Sequence, residues 1–241
     1  MEGYTLGATP AAIPTGSAAL DRVLGIGGIP RGRIVEISGP LASGKMTLAL
    51  HILAGAQRLG GAVSYVDGAH ALDPAYARAC GVDPDRASID RPTTVEQALE
   101  RVTIGAGYAR ETGVAALVFD PAWPLSLAEQ MAGVDAETGL GIQARLLSQT
   151  LRRLTAAIKR TNTAVIVLTS TPRTGDVSFL AGGKAIKFYA GVRLALQPVG
   201  PVMRGSEVIG QRVTARVLKN RVAPPFETAE FDLIAGQTDS P

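Results

Sequence analysis

The sequence predicts an α/β domain built around a mostly parallel β-sheet. Short apolar runs alternate with longer helical stretches along most of the chain, as they do in consecutive βαβ units. A glycine-rich stretch, GPLASGKMT at residues 39–47, stands between one apolar run and the next helical pattern. The last two apolar runs, near the end of the chain, have the pattern of antiparallel edge strands.

Each element follows from the local pattern of apolar residues. Compact apolar runs predict strands at 33–39, 62–67, 115–120 and 164–170, and edge strands at 193–199 and 212–220. Longer periodic stretches predict helices at 47–60, 95–113 and 141–161. The first of these helices closes on Gly60, a typical residue for the end of a helix.

The composition excludes several classes of protein. The 241 residues suffice for one sizeable core, and 46% hydrophobic against 19% charged residues is typical of a globular chain. No apolar run approaches the ~20 residues of a membrane span, and the first ten residues do not have the pattern of a secretory signal. A single cysteine, Cys80, suits a reducing compartment, so we expect a cytoplasmic protein. A net charge of +3 demands no polyanionic partner, so a nucleic-acid site must be inferred from local placement.

Residues 39–47 nearly match the phosphate-binding loop pattern G-x-x-x-x-G-K-[ST]. Gly39, Gly44 and Lys45 occupy the required positions between a predicted strand and a predicted helix. The glycines let backbone N–H groups point inward, the helix N-terminus adds a positive dipole end, and Lys45 neutralises phosphate charge. An ordinary strand-to-helix turn with an unrelated lysine is the alternative, and the context favours the phosphate loop.

Met46 departs from this pattern at the position of the magnesium-binding hydroxyl. A thioether is a poor ligand for a hard cation that prefers oxygen. Thr47 has a hydroxyl, but one helical step turns it ~100° away from the required direction. We therefore expect phosphate binding through the backbone and Lys45, with Mg²⁺ held less well.

Five stretches of the chain resemble the core domain of the bacterial RecA recombinase family, in family order and over nearly the whole sequence. They are PTGSAALDRVLGIGGIPRGRIVEISGP, YVDGAHALDPAYARACGVD, GLGIQARLLSQTLRRL, GGKAIKFYAGVRL and VLKNRVAPPFETAEFDLI. The resemblance implies a RecA-type P-loop ATPase core, a twisted and mostly parallel sheet flanked by helices with antiparallel edge strands. It also implies kinship with proteins that bind ATP and single-stranded DNA in recombination and the repair of DNA damage.

The resemblance assigns several residues to the nucleotide. Asp73 and Tyr76 match the adenine-side residues. Asp120 matches the strand-end acid that supports Mg²⁺, usually through water, although a polar strand end is the alternative. Lys219 and Arg221 match basic residues that reach the phosphates across a subunit interface, although solvated edge-strand charge is the alternative. The residues assigned to the nucleotide site itself are Gly39, Ala42, Ser43, Gly44, Lys45, Met46, Thr47, Asp73, Tyr76 and Asp120.

The chain departs from the family at three positions that serve hydrolysis. Ala69, in GAHALDP, stands in place of the catalytic glutamate, and Ser170 in place of the glutamine that senses the γ-phosphate. Met46 stands in place of the metal ligand. An alanine cannot polarise the attacking water, and general-base assistance is typically worth ~10²–10⁴-fold in rate. We therefore expect weakened ATP binding and slow or absent turnover, and we assign no catalytic residue and no metal ligand.

A row of basic residues on the longest predicted helix is a candidate DNA-binding surface. Arg145 and Arg152 are seven residues apart and share a face, which Lys159 continues. A solvated helix face is the simpler interpretation of the pattern alone. The resemblance favours DNA, because the family contacts single-stranded DNA with two arginines of this helix and with a glycine pair. The matching positions are Arg145, Arg152, Gly182, Gly183 and Lys184.

Two further features of this region are left as expectations. The second DNA loop, residues 172–183, is about five residues shorter than the family pattern, and Phe179 in it is either a base-stacking wedge or a core residue. The other face of the long helix is expected to pack on the core through Ile142, Leu146, Thr150, Leu154 and Ala157.

The domain organisation predicted from the sequence has three segments. Residues 1–14 form a short segment without room for the family's polymerisation helix and linker, residues 15–235 form the RecA-like core, and residues 236–241 form a frayed tail. We therefore do not expect long autonomous filaments, whereas joining or capping another protein's filament stays open.

Three hypotheses about function follow. The first is an accessory or regulatory protein of DNA repair that binds single-stranded DNA or a recombinase, and also ATP, without catalysis as its main output. The second is a slow DNA-dependent ATPase that recruits a substitute carboxylate, with Asp67 as the candidate. The third is an interaction subunit of a translesion-synthesis or recombinase complex that does not contact DNA.

Overall fold

The computed structural model describes residues 10–107, 109, 113–121, 136–171 and 183–234; the side chains of residues 95, 136–143 and 183 are not described. In these ranges, β1 (Ala12–Ile13) and β2 (Ile29–Pro30) form a small antiparallel pair. The main sheet contains β3 (Ile34–Gly39), β4 (Ala62–Asp67), β5 (Ala87–Asp90), β6 (Val114–Asp120), β7 (Ala164–Ser170), β8 (Val192–Arg204), β9 (Glu207–Asn220) and β10 (Thr228–Ile234).

The main sheet has the strand order β10-β9-β8-β3-β7-β6-β4-β5. All neighbouring strands from β8 to β5 are parallel, whereas β9 pairs antiparallel with both β8 and β10. This order confirms the predicted mostly parallel sheet with antiparallel edge strands. Strands β4 and β7 have the predicted bounds, because parallel strands buried on both faces are continuous apolar runs.

The helices are α1 (Ala18–Leu24), α2 (Lys45–Arg58), α3 (Pro74–Ala79), α4 (Val95–Gly107), α5 (Ala136–Thr161) and α6 (Gly183–Tyr189). Helix α2 begins two residues before its predicted start because Gly44, in the left-handed region, ends the preceding loop. Helix α5 begins five residues before its predicted start. None of the described helices is both long and apolar enough to cross a membrane.

The core forms two layers, one on each face of the main sheet. Side chains of α1, α2 and α3 pack on one face, and those of α4, α5 and α6 pack on the other. Alternate residues of β7 serve the two layers, since Ile166 and Leu168 belong to the first and Val165 and Val167 to the second. Ile13, from the segment before residue 15, is buried in the first layer.

The face that α5 buries differs from the predicted one. The buried set is Leu147, Leu151, Leu154, Ala157 and Ile158, whereas Leu146 and Thr150 of the predicted set are only partly buried. A row at steps of four drifts around the helix by ~40° a step, because 3.6 residues make one turn. From Leu147 to Ile158 the buried residues are spaced by alternating steps of four and three, so their side chains stay on one side of the helix and form the buried face. The side chain of Ile142 lies outside the described residues.

Candidate phosphate-binding site

The carboxyl ends of four parallel strands meet at one edge of the sheet. Gly39 at the end of β3 is in register with Ser170 at the end of β7, and Asp67 at the end of β4 is in register with Asp120 of β6. A cleft of about 900 Å³ opens at this edge, and residues of β9 together with Leu233 of β10 close its other side. This edge is where open α/β sheets usually bind ligands.

The glycine loop at this edge has the geometry of an anion cradle. Gly44 lies in the left-handed region at φ 82°, and a Cβ there would come within 2.4 Å of Leu233 Cδ1. A Cβ on Gly39 would come within 2.6 Å of Ser43 Oγ, so the close turn also requires glycine there. No side chain caps the N-terminus of α2. Its first backbone N–H groups have no acceptor within the helix and are available to an anion.

Lys45 lies across the loop that it follows. Its Nζ donates to the carbonyl oxygen of Gly39 at 3.0 Å and to that of Pro40 at 2.7 Å. Burial lowers the pKa of Lys45, and the nearby carboxylate of Asp120 opposes this shift. A bound phosphate would offer the ammonium group a charged partner in place of two neutral carbonyls.

Neither of the two residues after Lys45 offers a free hydroxyl to the cleft. Met46 is half-buried and packs against the core layer of α2. The Thr47 hydroxyl lies 2.7 Å from the phenol oxygen of Tyr76, which fixes both side chains. Tyr76 lines the cleft, and its adenine-side role stays a prediction. Asp73 is exposed, and its Oδ1 accepts from the Ala75 N–H at 2.8 Å and caps α3.

Asp120 is held by Tyr65, a residue that the sequence analysis missed. The Tyr65 hydroxyl donates to Asp120 Oδ2 at 2.9 Å, and the tyrosine is only 1% exposed. Burial raises the pKa of Asp120, whereas the Tyr65 hydrogen bond and Lys45 oppose the shift. The available signal was a phenol within a buried strand, AVSYVD, although the partner acid lies on another strand.

Asp67 is fully buried, and both of its carboxylate oxygens accept backbone hydrogen bonds. Oδ1 accepts from the Ala71 N–H at 3.0 Å, and Oδ2 accepts from the Leu72 N–H at 3.1 Å. Arg91 adds an ion pair at 3.4 Å and also donates to the Leu72 carbonyl. Asp67 therefore anchors the turn that follows β4.

Ala69 and Ser170 line the same cleft as Lys45 and Asp120. Ala69 lies in the turn that Asp67 anchors, and it presents a methyl group to the cleft. Met46, Ala69 and Ser170, the three positions predicted to depart from the family pattern, thus line one space. Lys45 and Asp120 are the charged side chains in the described part of its wall.

Lys219 and Arg221 lie at the opposite end of the sheet. Lys219 is in register with Arg193, next to the start of β8, whereas the glycine loop follows the carboxyl end of β3. The Nζ of Lys219 donates to the carbonyl oxygens of Lys187 and Phe188 at 2.8 and 3.1 Å. Burial lowers the pKa of Lys219, and neighbouring Arg221 lowers it further. Neither residue lines the cleft of its own chain.

The basic row of α5 is exposed. Arg145, Arg152 and Lys159 lie on the side of the helix away from its buried face. Helix α6 packs against α5, begins at Gly183 and exposes Lys184. Gly182 and Phe179 lie outside the described residues.

The fold and this loop together define a P-loop domain of the α/β class: a central parallel strand, a glycine turn, a lysine and a helix with free N-terminal amides. The RecA N-terminal domain family matches residues 6–239, so the chain belongs to the RecA family.

Several curated relatives agree with this assignment. The chain is 47% identical over 230 residues to Protein RecA of Methylococcus capsulatus, which covers 93% of this chain and 65% of that protein. It is 46% identical over 230 residues to Protein RecA of Symbiobacterium thermophilum, with the same coverage. It is 46% identical over 231 residues to Protein RecA of Chloroflexus aurantiacus, covering 94% of this chain and 65% of that protein. The chain thus spans less than two thirds of the length of these relatives.

Proposed function

We propose that this chain is an accessory or regulatory protein of DNA repair and recombination that binds single-stranded DNA and, weakly, ATP, with hydrolysis weak or lost. One observation carries the proposal. Met46, Ala69 and Ser170 surround the same cleft as an intact glycine loop and Lys45. A site that keeps its anion cradle while it lacks the groups that activate water is suited to binding rather than turnover.

The proposed nucleotide contacts follow the geometry of the cleft. The backbone of residues 39–44, the first amides of α2 and Lys45 would hold the phosphates. Tyr76 would contact the base side, since it lines the cleft and is fixed by Thr47. Lys219 and Arg221 face away from this cleft, so any contact with phosphates would be to the nucleotide of a neighbouring subunit or of a recombinase partner.

The contacts of Asp67 count against the slow-ATPase hypothesis. A general base needs a free oxygen within hydrogen-bond reach of the attacking water. Both oxygens of Asp67 instead accept backbone N–H groups, and the side chain is fully buried. Asp67 is therefore unsuited to act as the general base in place of the glutamate that is expected at position 69.

The exposed row on α5 supports the DNA-binding part of the proposal. Arg145, Arg152 and Lys159 recur every seven residues on the solvent side of one long helix, so they can follow a phosphate backbone. Lys184 on the adjoining α6 is also exposed and is the further basic residue that we assign to DNA binding. Contacts of this kind are sensitive to salt, because each neutralised phosphate releases counterions.

Phosphate release with and without single-stranded DNA tests the catalytic part. We expect the unaltered chain to release phosphate no faster than Lys45→Ala does. We also expect the unaltered chain to bind ATP, and Lys45→Ala to lose this binding. The double variant Met46→Thr with Ala69→Glu supplies a hydroxyl and a carboxylate, and we expect it to hydrolyse ATP faster than the unaltered chain. Robust turnover by the unaltered chain that disappears in Lys45→Ala would contradict the proposal.

Titration of labelled single-stranded DNA at several salt concentrations tests the DNA part. We expect Arg145→Ala with Arg152→Ala to weaken DNA binding. The slope of log K against log salt concentration should also become shallower, by the amount that about two phosphate contacts contribute. Arg153→Ala is the matched control, since this arginine is exposed on another face of the same helix. Unchanged DNA binding in the double variant would show that this row does not hold the DNA, and absence of binding by the unaltered chain would favour an interaction subunit that does not contact DNA.

A further inference from the structure

The first turn of α2 decides whether a phosphate loop can hold a metal ion. In the phosphate-loop pattern, the hydroxyl directly after the lysine ligates Mg²⁺. Mg²⁺ demands a near-octahedral set of oxygens, and it takes one or two from the protein with the rest from water and phosphate. The side chains at this turn and the nearby strand-end acid therefore test whether the site fits the ion.

Met46 and Thr47 do not supply the required oxygen. The Met46 thioether is a soft group, and it is half-buried against the core layer of α2. The Thr47 hydroxyl is 2.7 Å from the Tyr76 hydroxyl. To ligate a metal, the Thr47 hydroxyl would have to give up that hydrogen bond, and it points ~100° around the helix from the required direction.

Asp120 is the acid that lines the cleft beside Lys45, and one of its two carboxylate oxygens is already held within the protein. Tyr65 donates to Oδ2 from a fully buried position, so its hydroxyl cannot turn to water instead. Lys45 adds a cation near the same carboxylate. Tyr65 fixes the orientation of the carboxylate through Oδ2, so a metal ion would have to approach Oδ1 in that orientation. Turning the carboxylate to suit the metal would leave a buried phenol without its partner, which carries a free-energy penalty of ~1–3 kcal/mol.

These contacts do not fit Mg²⁺, and they leave the anion cradle intact. We propose that the cleft binds the polyphosphate of a nucleotide without a divalent cation, and that Tyr65 sets this preference by holding Asp120. The positive end of α2 and Lys45 balance the phosphate charge. This inference rests on the proposed nucleotide binding and adds that the binding does not depend on a divalent cation.

Calorimetric titration of the full chain with ATP, in excess EDTA and then in excess Mg²⁺, tests the proposal. We expect dissociation constants that agree within about twofold, which is a small difference on the scale of tenfold per 1.4 kcal/mol. Binding that is about tenfold or more tighter with Mg²⁺ would overturn the inference while leaving nucleotide binding in place. Absence of binding under both conditions would overturn the proposed function and this inference with it.

Variants separate the role of Tyr65 from that of Met46. Tyr65→Phe keeps the buried ring and frees Asp120, and Met46→Thr restores a hydroxyl at the metal position. We expect the double variant to bind ATP about tenfold more tightly with Mg²⁺ than with EDTA. Met46→Leu with Tyr65→Phe is the matched control, and it should show a smaller effect of Mg²⁺ because it lacks the hydroxyl. If Met46→Thr alone gains the full effect, Tyr65 does not set the preference.

Discussion

Asp67 shows how one carboxylate can be committed to structure in a site that resembles a catalytic one. Its two oxygens accept the backbone N–H groups of Ala71 and Leu72, and Arg91 lies 3.4 Å away. The turn that these bonds fix contains Ala69, which lines the cleft. Asp67 thus maintains the shape of this part of the cleft wall.

We predict that Asp67→Asn lowers the free energy of unfolding by ~1–3 kcal/mol, because an amide nitrogen cannot accept one of the two buried N–H groups. Urea denaturation measures this change. Asp73→Asn is the control, since asparagine caps a helix as well as aspartate does and α3 should keep its cap. An unchanged urea midpoint for Asp67→Asn would show that the turn does not depend on this carboxylate.

Tyr65 marks the limit of prediction for single residues. The glycine loop, Ala69, Asp120 and Ser170 could all be placed at one edge from sequence, because the carboxyl ends of parallel strands meet there. The bond between Tyr65 and Asp120 depends on the register of β4 against β6. Tyr65 pairs with Val118, so the acid two residues further on lies on the same face. Local patterns do not contain that register.

The parallel pair β3 and β8, next to the antiparallel strand β9, contains a buried ion pair. Glu36 on β3 is paired with Arg193 on β8, and Thr169 of β7 donates to the same carboxylate at 3.1 Å. Glu36 is 3% exposed, so its charge depends on these partners.

We predict that Arg193→Met lowers the free energy of unfolding by ~3–5 kcal/mol, because it leaves the Glu36 carboxylate buried without its counter-charge. Urea denaturation of Arg193→Met, Glu36→Met and the double variant measures the coupling, and we expect the double variant to recover most of the loss. Arg212→Met removes an exposed arginine that pairs with Asp232 on the neighbouring strand, and it should leave the midpoint nearly unchanged. Losses that simply add in the double variant would mean that the two residues are not coupled.

At the level of elements, strands were more predictable than helix faces. Strands β4 and β7 have the predicted bounds, since burial on both sides makes most of their residues apolar. Helix α5 was predicted to bury a row at steps of four, and the structure buries one that alternates steps of four and three. Several apolar rows exist on this helix, and tertiary packing chooses among them.

The stability of the whole domain should depend on pH through His51. Its side chain is 1% exposed in α2, and Nε2 has no hydrogen-bond partner within the described residues. Burial lowers the pKa of His51 from 6.5 to about 4. The unfolded chain therefore binds a proton at a higher pH than the folded chain does, so stability falls as the pH drops between these values.

We predict that the domain loses ~3 kcal/mol more than a His51→Gln variant between pH 6.5 and pH 4, which follows from the pKa difference at 1.36 kcal/mol per unit. Urea unfolding at several pH values gives both curves. Carboxylates titrate in both proteins, so the difference between the curves isolates His51. Parallel curves for the two proteins would contradict the prediction.

The packing of Leu233 against Gly44 joins the last described strand to the phosphate loop. These residues are far apart in sequence, and closing such a long chain segment carries a large entropy cost. During synthesis, the parallel strands are complete before residue 233 emerges from the ribosome. The phosphate loop should therefore be among the last parts of a nascent molecule to reach its final conformation. A translation arrest before β10 should yield a folded parallel core whose phosphate loop does not bind an anion.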